Sequence, residues 1–169
     1  MEILAAVHLF TLHLLNWTLK NEELENELNI LIKMLPDWQP FEKNLYFFST
    51  TRKNWYAARD DCMARNSADL VSCRYGEEQM YIDEKSVENQ EDYWIGLYKN
   101  SSVTNGLLWT AGYHAGTLYW SDGQPNGGNR ERCISIHSSG TVKALWHDDL
   151  CGSRRAYICK MSPKSVWFY

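Results

Sequence analysis

Five cysteines, Cys62, Cys73, Cys133, Cys151 and Cys159, constrain this 169-residue chain more than any other feature, because none forms a C-x-x-C pair and none has a histidine at zinc-finger spacing. Dispersed cysteines of this kind argue against structural zinc and for an oxidising compartment with two bridges and one thiol left over. Two sequons, Asn16-Trp17-Thr18 and Asn100-Ser101-Ser102, point the same way. The length allows one domain plus an appendage. A net charge of -4, with no Lys/Arg cluster longer than a pair, gives no electrostatic footprint for nucleic acid. Eight Trp and ten Tyr suit a Trp-rich fold heavy in loops.

Residues 3 to 15, ILAAVHLFTLHLL, form an apolar run shorter than the roughly 20 residues a spanning helix needs. A signal peptide fits that length but lacks a basic start and a small-x-small cleavage site, so the preferred reading is part of a signal anchor, a candidate membrane anchor. Counting in heptad steps from Ile3 lands on Val7, Phe10, Leu14, Trp17, Asn21, Leu24, Leu28, Leu31 and Leu35, with Asn21 placed to set register. Residues 1–35 are therefore expected to form an apolar, heptad-patterned helix. It serves either as a stalk that makes a homo-oligomer or as an ordinary helix packed on the domain, and Pro36 ends it.

From residue 36 the pattern becomes mixed. Leu45 to Phe48 reads as a strand and Asn54 to Arg65 as a helix with Trp55, Ala58 and Cys62 on one stripe. Asp69 to Cys73 reads as a strand, Gly76 to Val87 as a second helix, and Tyr93 to Tyr98, YWIGLY, as a buried strand. Nothing between Lys99 and Arg130 is periodic, and a loop of that length inside a domain is usually functional. Strands are expected from Cys133, Val142 and Arg155. The fold class is α+β, with two helices, small antiparallel sheets and a long loop region, preceded by the N-terminal helix.

Trp55-Tyr56-Ala57-Ala58-Arg59 with Cys62, the run Trp94 to Leu97, Trp120 with Gly123-Gln124-Pro125-Asn126, Trp146-His147-Asp148 with Cys151, and Tyr157-Ile158-Cys159 together resemble the C-type lectin-like domain in order and spacing. The resemblance covers residues 36–160 and leaves 161–169 as a tail. It implies bridges Cys62 to Cys159 and Cys133 to Cys151. Cys73 is then either a small core hydrophobe or the site of an intermolecular bridge. Leu35 and Leu45 stand near the positions of the long form's extra cystine, so a short-form domain is expected.

The family's calcium-and-sugar site maps onto Gln124 and Asn126, Glu131, and His147 with Asp148. The resemblance thus implies Ca2+ held by Gln124, Asn126, Glu131 and Asp148, a carbohydrate contacting Gln124, Asn126, Glu131, His147 and Asp148, and a cis peptide before Pro125. Two departures weaken that cage. Gln-Pro-Asn carries two amides where the family has one acid and one amide, and His147 replaces an asparagine, although Asp149 stands adjacent as a substitute oxygen donor. Trp120 and Trp146 read as core.

The expected function is a calcium-dependent lectin receptor domain for hexose-containing glycans on glycoproteins or microbial surfaces. It would be type II at the cell membrane or secreted, with a role in immunity. The alternative is a calcium-independent, protein-binding receptor that keeps the fold and loses the cage. An enzyme is not expected: His137, His147 and Asp148 come with no nucleophile elbow, H-E-x-x-H or phosphate loop.

Overall fold

The computed structural model describes residues 2–65, 67–73, 76–102, 106–138 and 145–162, with the side chains of 2–10, 28, 31 and 32 outside that description. The expected strand start at 142–144, most of the tail and the heptad side chains at 3, 7, 10, 28 and 31 thus lie outside the described residues. Contacts divide the chain into two units, Met1–Gln39 and Pro40–Tyr169.

The first unit is dominated by helix α1, Glu2–Met34. Leu14, Trp17, Leu19 and Ile30 on it are all exposed. Among the described residues no helix is long and apolar enough to cross a membrane.

The second unit holds α2 (Trp55–Ala64) and α3 (Gly76–Asn89). Its strands follow β1 (Gln39–Phe41), which straddles the boundary: β2 (Asn44–Phe48), β3 (Asp69–Leu70), β4 (Tyr93–Lys99), β5 (Leu107–Trp109), β6 (Cys133–His137), β7 (Leu145–Asp149) and β8 (Ala156–Met161). They join in the order β1-β2-β8-β4-β6-β7, with β3 on β8 and β5 on β4. β2–β8, β3–β8, β4–β5, β4–β6 and β6–β7 pair antiparallel and β4–β8 parallel, and that parallel pair ties the small antiparallel sheets into one mixed sheet. Strand β5 falls in the stretch expected to be unstructured. Three residues are too few to show alternation, and β5 forms because β4 offers Leu97, Tyr98 and Lys99 as partners.

Local chemistry explains α2. Asn54 Oδ1 accepts from the Ala57 amide at 2.9 Å and caps the first turn, while Trp55, Ala58 and Cys62 bury one face. The core is built on Trp94, Trp109 and Trp146, and each buried indole N–H with a described partner has an acceptor: Trp94 Nε1 donates to Lys53 O and Trp146 Nε1 to Gln79 Oε1. Cys62 is bonded to Cys159 and Cys133 to Cys151. Cys73 is a free thiol buried among core side chains, and burial pushes its pKa well up, so it packs as a small hydrophobe.

Gly96 in β4 is where the backbones come closest. A Cβ there would lie 2.7 Å from Leu70 O and 3.0 Å from Val71 O, both rigid backbone atoms, and 2.6 Å from Thr110 Oγ1. Gly96→Ala is expected to destabilise the domain by about 2–3 kcal/mol, read as a lower urea midpoint with an unchanged slope.

Candidate functional site

The loop that follows Trp120 returns to the sheet at β6, whose first residue Cys133 is bonded to Cys151 just beyond β7. The bridge fixes the loop's exit, and the Ser121 amide, donating to Trp146 O at 3.0 Å, holds its entry on β7. Within it the Gln124–Pro125 peptide is cis. What joins the loop to β7 is Asp148, whose side chain is completely buried. Its Oδ1 accepts from the Asn126 amide at 2.8 Å, and its Oδ2 accepts from the Gly127 amide at 3.0 Å and from Lys99 Nζ at 2.6 Å. Lys99 Nζ also donates to Gly128 O at 2.7 Å. Burial alone would raise the Asp148 carboxyl. The hydrogen bonds from Lys99 and the two amides outweigh it and hold the pKa below the ordinary carboxylate value.

The other expected site residues divide. Glu131 lies against Gly127, since a Cβ at 127 would overlap its carboxylate. Asn126 is exposed and is tied to Asp148 through its backbone amide. Gln124 is half-buried, and its Oε1 is buried without a hydrogen-bond partner among the described residues. The Glu131 side chain and the Asp148 carboxylate thus both lie at Gly127, and Asn126 joins them through its backbone amide.

His147 does not join them. Strand alternation sends 146 and 148 to one face and 147 to the other, and the His147 ring stacks on His137 with centroids 3.9 Å apart. Burial first, and then the neighbouring His137, keep the His147 pKa below its ordinary value. Asp149 is engaged as well, by Arg155 and by Ser135 Oγ at 3.0 Å.

The donor set in this arrangement does not fit calcium. Calcium takes six to eight oxygens and is held more tightly the more negative charge those ligands carry. Asp148 already accepts two amides and one ammonium, and among the described residues no three His, Cys, Asp or Glu side chains cluster as a metal site. The participant missed from the sequence is Lys99. A lysine at a strand end ordinarily reads as solvated, and only its distance to Asp148, 49 residues away, reveals its role.

Beside the loop opens a cleft of about 510 Å³, with Leu118, Trp120 and Pro125 as apolar wall and Lys99, Asn129 and Arg132 as polar rim. That size suits a small ligand. Trp120 stands edge-on to the core Trp146 with centroids 5.9 Å apart, so it belongs to both core and cleft.

A fold with two such bridges, a long loop docked on the last hairpin and a ligand-sized cleft beside it defines a binding domain built like a lectin. The profile described as Lectin C-type domain matches residues 51–161, and the chain belongs to that family. It is 30% identical over 147 residues to mouse CD209 antigen-like protein C, covering 85% of this chain and 78% of that one. It spans about half the length of other curated relatives. Among solved structures, the mouse scavenger receptor C-type lectin carbohydrate-recognition domain superposes with a TM-score of 0.66 at 28% identity, covering 78% of this chain and 98% of that one. The C-type lectin domain of murine dendritic cell inhibitory receptor 2 in complex with N-glycan gives 0.65 at 26% identity, covering 75% and 97%.

Proposed function

We propose that residues 36–160 form a glycan-recognition domain for hexose-containing glycans of glycoproteins or microbial surfaces, which bind at the loop face of Gln124, Asn126 and Glu131 and in the adjoining cleft. The observation that carries this reading is a polar loop held in one conformation by a buried carboxylate beside an apolar wall. A sugar needs that combination, fixed donors and acceptors for its hydroxyls and a flat surface for its ring. Gln124 Oε1, an acceptor with no donor among the described residues, is suited to a ligand hydroxyl. The likeness to a carbohydrate-recognition domain and to a lectin domain in complex with N-glycan supports the same ligand class.

Residues 1–35 serve in this reading as a stalk and 161–169 as a tail. The exposed Leu14 and Trp17 on α1 favour a homo-oligomer, in which several weak sites act together through effective concentration. The two disulfides favour an extracellular place, as a type II membrane receptor in immunity or as a secreted protein. The work is binding rather than catalysis.

A second reading, a protein-binding receptor that uses neither sugar nor calcium, is favoured by the pairing of Asp148 with Lys99. A glycan array of the full chain separates the two. Hexose glycans are expected to bind, and Asn126→Ala to weaken them about 5- to 20-fold through one or two lost hydrogen bonds. An empty array would remove the glycan reading and leave the protein-binding one.

A further inference from the structure

We propose that Lys99 is the resident cation of the 121–132 loop: its ammonium joins Asp148 to Gly128 and keeps the recognition face folded without calcium. This concerns the same loop as the glycan reading and rests on that reading only for what the loop is used for. The order of the loop can be measured with no sugar present.

Two kinds of observation carry the inference. The first is the pairing itself. The Asp148 side chain is 0% exposed and that of Lys99 22%, with 2.6 Å between Oδ2 and Nζ. A buried carboxylate needs a counter-charge, and here one positive charge meets one negative charge with two backbone amides completing the shell. The second is the aim of the lysine. Its amide donates to Arg132 O at 2.8 Å, Arg132 Nη2 donates back to Lys99 O at 3.2 Å, and Tyr98 pairs with the bridged Cys133. The root of the side chain is therefore pinned at the loop's own exit, and the ammonium reaches the loop's middle at Gly128. A tethered cation faces no dilution, whereas a free ion must be drawn from solution and must displace the ammonium from the carboxylate. Calcium entering at Asp148 would place two positive charges beside a third. The device also explains how the loop tolerates amides at both 124 and 126, since a single positive charge needs a single carboxylate.

Trypsin reports on this loop directly, because Arg130 and Arg132 are exposed within it. For the full chain, cleavage after Arg130 is expected to proceed at the same rate, within about two-fold, in chelator and in about 1 mM calcium, the range at which extracellular calcium modules fill. The thermal midpoint is likewise expected not to move. A calcium ion of ordinary affinity would raise that midpoint by roughly 5 °C. Lys99→Met, which keeps the stem and removes the charge, is expected to speed cleavage after Arg130 about 10- to 100-fold, the loss of charge-assisted hydrogen bonds. Lys99→Arg, which keeps a cation, is expected to stay within a few-fold of wild type. Calcium protection of the wild-type loop would overturn the proposal, as would a Lys99→Met loop cut no faster than wild type. If Lys99→Met does not fold, the wild-type comparison still decides, because a saturable calcium response of the native chain would alone refute a resident ammonium. No arm contains a glycan, so an empty array and a failure here are separate results.

Discussion

Asp148→Ala is expected to destabilise the domain by about 3–5 kcal/mol and to release the loop from β7, a thermal midpoint lower by roughly 10–20 °C. Removing this carboxylate takes an acceptor from three donors at once, the amides of Asn126 and Gly127 and the ammonium of Lys99. The ammonium loses the most, since it keeps Gly128 O but no counter-charge. Asp148→Asn is the informative companion. It keeps an acceptor for the Asn126 amide but loses the charge, so its loss is expected to be about half as large. Glycan binding should fall with loop order in both variants. Scanning calorimetry of the two variants beside wild type checks the ranking. An Asp148→Ala midpoint within a degree or two of wild type would show that the carboxylate is not what holds the loop.

The second large effect concerns the bridges. Cys62 and Cys159 are 97 residues apart and Cys133 and Cys151 are 18 apart. In the chain-entropy model the first restrains far more of the unfolded chain, about 4.7 kcal/mol against roughly 3 for the second. Replacing Cys62 and Cys159 together by alanine is therefore expected to lower global stability more than replacing Cys133 and Cys151. The second pair should show its effect locally, as faster tryptic cleavage of the 121–132 loop whose end it fixes. Urea unfolding of the two double variants, followed by tryptophan fluorescence, gives the order. The reverse order would mean that the short bridge closes more than a loop.

Much of the fold was legible because it rests on local patterns. The spacing of Trp55, Ala58 and Cys62 marks α2, and the apolar run from Tyr93 marks a buried strand. Strand β5 was not legible. Leu107 to Trp109 is three residues, and what makes it a strand is a partner edge rather than its own sequence. Cys73 was open between core and bridge, and its burial decided for core.

The candidate site was legible as a set of residues but not as an arrangement. The family resemblance marked Gln124, Asn126, Glu131 and Asp148, and in the structure Glu131 lies against Gly127 while Asp148 accepts from the backbone amides of Asn126 and Gly127. His147 was included because the resemblance puts an asparagine ligand at that position. In a strand, adjacent side chains point to opposite faces, and the ring is found on His137 instead.

The amino acids in order thus determined where α2 and the buried strand from Tyr93 run, which cysteines were available and which oxygens could line a loop, because these are written in residue type and short-range spacing. Which positive charge answers Asp148 was decided only in three dimensions. Coulomb attraction and hydrogen bonding depend on distances of a few ångströms, and the meeting of Lys99 with Asp148 at 2.6 Å is made by strand register across 49 residues of chain.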